Sequence, residues 1–291
     1  MAERRVVVTG AGGFVGRHVC AELERRGWNV LRVAGRSDAD LGDPSSVESL
    51  RARFERAQAV VHLVGIIVEV GANTYEQAHV RATRHALGLA RGLGAERFVH
   101  MSALGTRPDA RARYHQTKWQ AETLVRTSGL EWTIFRPSLI FGADGEFVQM
   151  MRKMARIPFA VPVVAPGTFV QPVFVDDVAR MFADALENPE TIGRVCALGG
   201  PRAYRMREVV DLFVRAECGH PKWLLPVPRA AVWPAAWLFE MVLRRPPVTR
   251  DQLIMLGEDN VCEIQETWRI FRGRLTEFGA WLESGKPSEG G

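Results

Sequence analysis

Lysine and tyrosine are scarce in this chain, with four Lys and three Tyr among 291 residues, and the remaining basic charge is carried by arginine. Cysteine offers no framework either. Cys20, Cys196, Cys218 and Cys262 lie far apart without C-x-x-C or zinc spacing, which predicts a reduced, cytoplasmic protein without structural metal. The seven histidines are scattered, with no H-x-x-x-H pair and no carboxylate cluster beside them, so no metal site is expected. No apolar run approaches the roughly 18–20 residues that span a bilayer. The opening "MAERRVVVTG" enters an apolar strand at once, which leaves no room for a signal peptide. The net charge is +5, yet the arginines form no polybasic block, which speaks against nucleic-acid binding.

What is present is alternation. "RRVVVTG" (4–10), "NVLRVAG" (29–35), "AVVHLVG" (59–65), "RFVHMSA" (97–103) and "EWTIFRP" (131–137) read as strands rich in Val, Ile and Phe. Helical patterns separate them. Asp43 before Pro44 reads as an N-cap with Pro in the first turn. Thr74 with Gln77, and Thr249 with Gln252, have capping-box spacing. Strands alternating with helices predict an α/β fold, a Rossmann-type doubly wound parallel sheet, because parallel strands need helical crossovers. From about residue 142 prolines break the pattern, and "QPVFVDDVARMFADAL" (171–186) resumes it. The division expected is a dinucleotide-binding domain of 1–141 plus 171–198. A smaller, mostly helical C-terminal lobe takes 142–170 plus 199–270, and a disordered tail 284–291.

"VVVTGAGGFVGRHVCAEL" (6–23) sets glycines at 10, 13 and 16 between the first strand and a helix. In that context Gly10 serves a tight turn, Gly13 admits a pyrophosphate to the backbone, and Gly16 lets helix and strand pack closely. The helix start then offers N–H groups and a positive dipole end to phosphate. Phe14 and Val15, which open that helix, and Leu63, Val64 and Gly65, which end the third strand, complete this side of the cofactor site. The second strand ends in "RVAGRSDAD" (32–40), where Arg32 and Arg36 precede the first acid, Asp38. A guanidinium there suits a 2′-phosphate, so NADP(H) is favoured over NAD(H), with Arg36 as the residue.

The rare residues now acquire meaning. Tyr114 and Lys118 stand four apart in "RYHQTKWQAE", on one helix face, twelve residues after Ser102 at the end of the fourth strand. Ser102 can hold a substrate carbonyl and Tyr114 can pass a proton. Lys118 can lower the phenol's pKa and bond the nicotinamide ribose.

At these residues the chain resembles the short-chain dehydrogenase/reductase superfamily, in its extended or atypical branch. "TGAGGFVG", "VVHLVG", "RFVHMSALG", "YHQTK", "FRPSLIFG" and "QPVFVDDVA" follow one another in the superfamily's order. "ALGGPRAYRMREVV" (197–210) and "PPVTRDQLIMLGEDNV" (246–261) resemble the atypical members typified by subunit nine of the alpha subcomplex of respiratory complex I. The resemblance implies Gly10, Gly13 and Gly16 at the pyrophosphate, with Ser102, Tyr114, Lys118 and Pro137 around the nicotinamide. It implies a tight NADPH binder that stabilises a respiratory or quinone-synthesis complex. The chain departs from many active members in one place: His79, in "QAHVRAT", stands where they carry an Asn that helps complete a proton relay.

Several other features have two readings each. "RAAVWPAAWLFEMVL" (229–243) is apolar nearly all round, so it is either core of the smaller lobe or a surface facing a membrane. His62 and His100 read as core or near-cofactor residues. Arg111 and Arg113 are either a basic site mouth or a solvated loop. Asp176, beside Asp177, reads as a helix N-cap. Three functions follow: a dinucleotide-binding accessory factor of respiratory or quinone machinery, an NADPH-dependent oxidoreductase acting on a small apolar or isoprenoid carbonyl, and a redox-sensing regulator. The location expected is the cytoplasm, or the periphery of the inner face of a membrane.

Overall fold

The structure is a computed structural model that describes residues 4–35 and 40–284. At its centre lies a parallel sheet of β1 (Arg5–Thr9), β2 (Asn29–Val33), β3 (Ala59–His62), β4 (Arg97–Met101), β5 (Glu131–Pro137) and a sixth strand, Arg194–Leu198. Across the sheet the order is β2, β1, β3, β4, β5, Arg194–Leu198. The chain thus steps one way from β1 to β2 and the other way from β3 onward. Ligands of such sheets bind beyond the carboxyl ends of the strands at that reversal. The expected strands are all present. Four of the apolar runs overshoot them, because their last residues leave the sheet as the loops that line this crevice.

Central strands buried on both sides need no polar face. Val6 and Val8 enter one core with α1 (Phe14–Arg25), whereas Val7 enters the opposite core. That second core is closed by α2 (Ser45–Arg53), α3 (Ala82–Gly92) and α4 (Arg113–Arg126). The same alternation sends Phe135 to the first core and Ile134 to the second. Each such buried side chain contributes about 1.5–3 kcal/mol. After α5 (Glu146–Ala155), α6 (Val175–Glu187) covers the first face beside α1.

The C-terminal region is mostly helical. It contains α7 (Met206–Cys218), α8 (Arg229–Val242), α9 (Arg250–Met255), α10 (Gln265–Ile270) and α11 (Phe278–Glu283). A short parallel pair, Ala160–Val164 with Trp223–Val227, accompanies them. Phe141, Val148, Met151 and Phe213 form a third core there, which Phe278 and Trp281 of α11 also join. The expected tail falls, after Ser284, outside the described residues.

Local details correct some expectations. Thr249 and Gln252 form a complete capping box. Asp43 accepts the Ser45 N–H at 3.0 Å, but α2 begins one residue later than expected, after Pro44. Asp176 is not a cap: α6 starts at Val175 after Phe174, and Asp176 lies in its first turn bonded to His18. The core reading of 229–243 is overturned as well. Of α8 only Ala236 is buried, and Trp233 and Trp237 are exposed, since α8 packs on α9 along a narrow edge. Among the described residues no helix is long and apolar enough to cross a membrane.

Candidate functional site

The loop after β1 is held by its own backbone. Gly10 adopts φ +77°, a left-handed conformation natural to glycine, and the N–H groups of Gly10 and Ala11 both donate to Val33 O. A Cβ on Gly16 would lie 2.1 Å from Gly10 O, so only glycine lets α1 pack this closely. Gly13 stands at the N-cap with no side-chain cap, and no acid occupies the first turn. The N–H groups of an uncapped start suit a phosphate. Val15 is buried in the core, and the Phe14 ring packs where a Cβ on Gly145 would come within 2.8 Å of it. Sequence reasoning missed Arg17. Its guanidinium donates to Gly12 O at 3.0 Å and pairs with Asp144 at 2.5 Å, bracing the loop from the side.

At the end of β2, Arg32 is taken up by Glu24, with contacts of 2.8 and 3.0 Å. Arg36 and Asp38 lie outside the described residues.

Four elements converge on Lys118. Its ammonium is buried and donates to Met101 O at 3.1 Å, at the end of β4. A Cβ on Gly65, in the loop after β3, would lie 2.9 Å from Lys118 Nζ and 3.6 Å from His79 Nε2. Ser102 is buried next to Met101, and its hydroxyl donates to Thr106 Oγ1 at 3.3 Å. Pro137 is buried at the end of β5, where its carbonyl accepts the Leu104 N–H. Leu63 is buried and Val64 packs on the second core, so both frame the crevice mainly through backbone.

Tyr114 stands apart from the expectation drawn for it. Burial pushes its phenol up to about 12, and no neighbouring charge offsets this. The lowering expected from Lys118 is absent because the ammonium turns to the Met101 carbonyl. Burial also brings Lys118 itself down to about 8, against a smaller opposing pull from Glu122. The Tyr114 ring is wedged edge-on against Tyr75, His79 and His115, at centroid distances of 5.9, 5.2 and 5.1 Å.

His79 sits in a π-helical turn, Glu76–Arg81, a rare form frequent at functional sites. Its Nδ1 lies 2.8 Å from Thr117 Oγ1 and its Nε2 3.1 Å from Ile66 O. Burial holds the imidazole well below its usual pKa, so the ring is neutral. Beneath it His62 and His100 stack at 5.4 Å. His62 bridges Thr9 and Thr83, and burial lowers it to about 3. Both ring nitrogens of His100 are buried without a hydrogen-bond partner. Arg113 is exposed and paired with Glu69 at 3.1 Å, and Arg111 is exposed.

A second residue was invisible to sequence reasoning. Asp251 of α9 reaches back to α4 and accepts the N–H groups of Arg113 and Tyr114 at 2.8 and 3.0 Å. Nearby, Glu258 pairs with Arg107 at 2.8 Å, and Asn260 O accepts the Ser138 hydroxyl at 2.9 Å. The stretch 246–261 is therefore the strap that ties the helical region to the site. Among the described residues no group of three or more His, Cys, Asp or Glu is set to hold a metal ion.

The model of the NAD dependent epimerase/dehydratase family matches residues 6–199, which spans every strand of this sheet. The chain belongs to that family. Within it, the chain is 32% identical over 222 residues to the rat (Rattus norvegicus) "NADH dehydrogenase [ubiquinone] 1 alpha subcomplex subunit 9, mitochondrial", covering 70% of this chain. It spans only 58% of that relative's length. It is 30% identical over 200 residues to a "Ceramide reductase" of Caulobacter vibrioides, covering 63% of this chain and 61% of the relative. The fold is shared with the Thermus thermophilus UDP-glucose 4-epimerase solved in complex with NAD, at a TM-score of 0.62 and 22% identity, covering 87% and 97% of the two chains. As a family member the chain is a nicotinamide-dinucleotide binder, and its glycine turn and open helix start have the shape that a pyrophosphate needs.

Proposed function

We propose that this family member holds NADP(H) tightly and serves as an accessory or stabilising factor of a respiratory or quinone-linked assembly, peripheral at the inner face of a membrane. Tyr114 carries the choice of accessory over enzyme. Its ring is wedged among Tyr75, His79 and His115, the ammonium that would activate it is bonded to Met101 O, and burial raises the phenol, so nothing prepares it to cycle as acid and base near neutral pH. His79 adds a neutral ring locked between Ile66 and Thr117 where a relay group would stand. The rat relative's name supports the assembly.

In this reading the α1 start and Gly13 receive the pyrophosphate. Lys118 and Tyr114 hold the ribose and nicotinamide, and Ser102 and Pro137 close the far side. The cofactor, when bound, supplies a hydride donor. The preference for NADP(H) rests on Arg36, since Arg32 is committed to Glu24. Arg36→Ala is expected to weaken NADPH by about 1–3 kcal/mol and leave NADH nearly unchanged. Equal losses in a titration of both cofactors would remove the assignment.

A second reading, an NADPH-dependent reductase of a small apolar or isoprenoid carbonyl, draws on one observation. Lys118 at about 8 lies close to neutral pH, with its ammonium on the Met101 carbonyl next to Ser102, and the Caulobacter relative is named a reductase. Complementing a deletion strain with Tyr114→Phe separates the two. Full rescue, the result expected, supports the accessory role. Loss of growth with NADPH affinity intact, and any reductase rate cut by roughly 100- to 10,000-fold, supports turnover.

A further inference from the structure

We propose that the C-terminal lobe docks on an anionic lipid surface through an exposed aromatic strip and the bare face of α8. This deepens the peripheral placement proposed above and rests on that part of the reading alone, not on the cofactor. Phe159 is 88% exposed and Trp223 85% exposed. The two are tied together, because the Trp223 N–H donates to Phe159 O at 3.1 Å. Phe159 also holds φ +64°, a costly conformation for a bulky residue. Strand Trp223–Val227 leads through Pro228 straight into α8. There Trp237, Leu238, Met241 and Val242 are exposed, the last two at 67% and 69%. Exposed large apolar side chains gathered along one stretch of chain mark an interaction site, and Trp belongs to the layer where apolar chains meet headgroups.

Charge decides the occupant. Between residues 222 and 250 stand five basic residues and a single acid, Glu240, which is already paired with Arg250 at 2.6 Å. Arg244 and Arg245, just past α8, are exposed. On the other side of the strip no acid stands between Glu146 and Asp176, while Lys153 and Arg156 are exposed. Beside Trp223 a hollow of 580 Å³ is lined by Arg205, Arg207, Arg215 and Lys222, with Glu208 and Asp211 as its acids. Apolar residues rimmed by an excess of positive charge fit an anionic bilayer leaflet. A twofold dimer would instead set this patch against its own copy, arginines facing arginines.

The test is sedimentation of the full chain with vesicles of phosphatidylcholine alone and with vesicles containing phosphatidylglycerol, with NADPH binding measured on the same samples. Binding is expected only with phosphatidylglycerol and is expected to fall as salt rises. Arg244→Gln with Arg245→Gln is expected to weaken it on the order of thirtyfold, from about a factor of five per basic residue lost. Phe159→Ser with Trp223→Ser is expected to abolish it, with the melting temperature unchanged because both side chains face solvent. Indifference of binding to either pair of substitutions overturns the proposal. So does absence of binding to the phosphatidylglycerol vesicles, or a dimer that the same substitutions dissolve. NADPH bound by a protein that ignores vesicles defeats the lipid surface alone, and vesicles bound without NADPH defeat the cofactor reading alone.

Discussion

Two helices of this protein, α1 and α4, begin with the same local chemistry and meet different fates. Neither carries a side-chain cap on its own N-cap residue, Gly13 in one and Ala112 in the other, and neither has an acid in its first turn. At α1 the open start faces the crevice at the reversal of strand order. At α4 the start is occupied by Asp251, which arrives from more than a hundred residues away. An uncapped helix start is thus open to a ligand only where no other part of the fold reaches it.

The sharpest way to break this contrast is at α1. Gly16→Val places a branched side chain where even a Cβ would sit 2.1 Å from Gly10 O. The loop must move off the helix, at a cost of about 3 kcal/mol in stability, and dinucleotide binding is expected to be lost. Chemical denaturation and an NADPH fluorescence titration report the two effects. Retained affinity would mean that the α1 start is not where the phosphates lie.

At α4 the same logic gives a smaller effect of another kind. Asp251→Ala leaves the N–H groups of Arg113 and Tyr114 without their acceptor and removes a negative charge from a helix N-terminus. A loss of about 1–2 kcal/mol in stability is expected, with NADPH affinity changed much less than by Gly16→Val. Asp251→Asn keeps an accepting oxygen and is expected to recover most of the loss in a urea melt. If Asp251→Ala instead matches Gly16→Val in lost affinity, both helix starts serve the ligand and the contrast fails.

What could be read in the sequence divides along the same line. The glycine turn is local: the turn, the close packing and the open start all depend on residues within one strand–helix unit, so Gly10, Gly13 and Gly16 announce themselves. The strands were legible for a similar reason, since a parallel strand buried on both faces writes itself as an unbroken apolar run. The surroundings of Tyr114 are not local. Its pairing with Lys118 is visible at four-residue spacing, but that the ammonium turns to Met101 O, and that His79 and Tyr75 wall in the phenol, comes from the end of β4 and from the π-helical turn with the residue before it. The exposure of α8 was equally hidden, because an apolar helix looks the same in sequence whether another element covers it or not.

The smallest effect tests what holds α1 from the side. His18, one turn into that helix, places Nδ1 2.5 Å from Asp176 Oδ1 and Nε2 3.3 Å from Asp144 Oδ1. Only the imidazolium donates from both nitrogens, so the bond to Asp176 first, and that to Asp144 second, raise its pKa above 6.5 against the opposing effect of burial. The sign of the linkage follows. A group whose folded pKa is raised binds its proton more tightly in the folded state, so its stabilisation is complete below about 6.5 and disappears as pH climbs through the folded value. The pair is partly open to solvent, which holds the expected contribution to about 1 kcal/mol. Urea melts at mildly acidic and mildly alkaline pH are expected to show wild type losing that increment and His18→Gln not losing it. NADPH affinity of His18→Gln is expected to stay within a few-fold of wild type, because the clasp grips the flank of α1 and leaves its N–H groups alone. If His18→Gln abolished NADPH binding, the α1 start would depend on a tertiary clamp just as α4 does, and the two helices would differ only in which residue does the clamping.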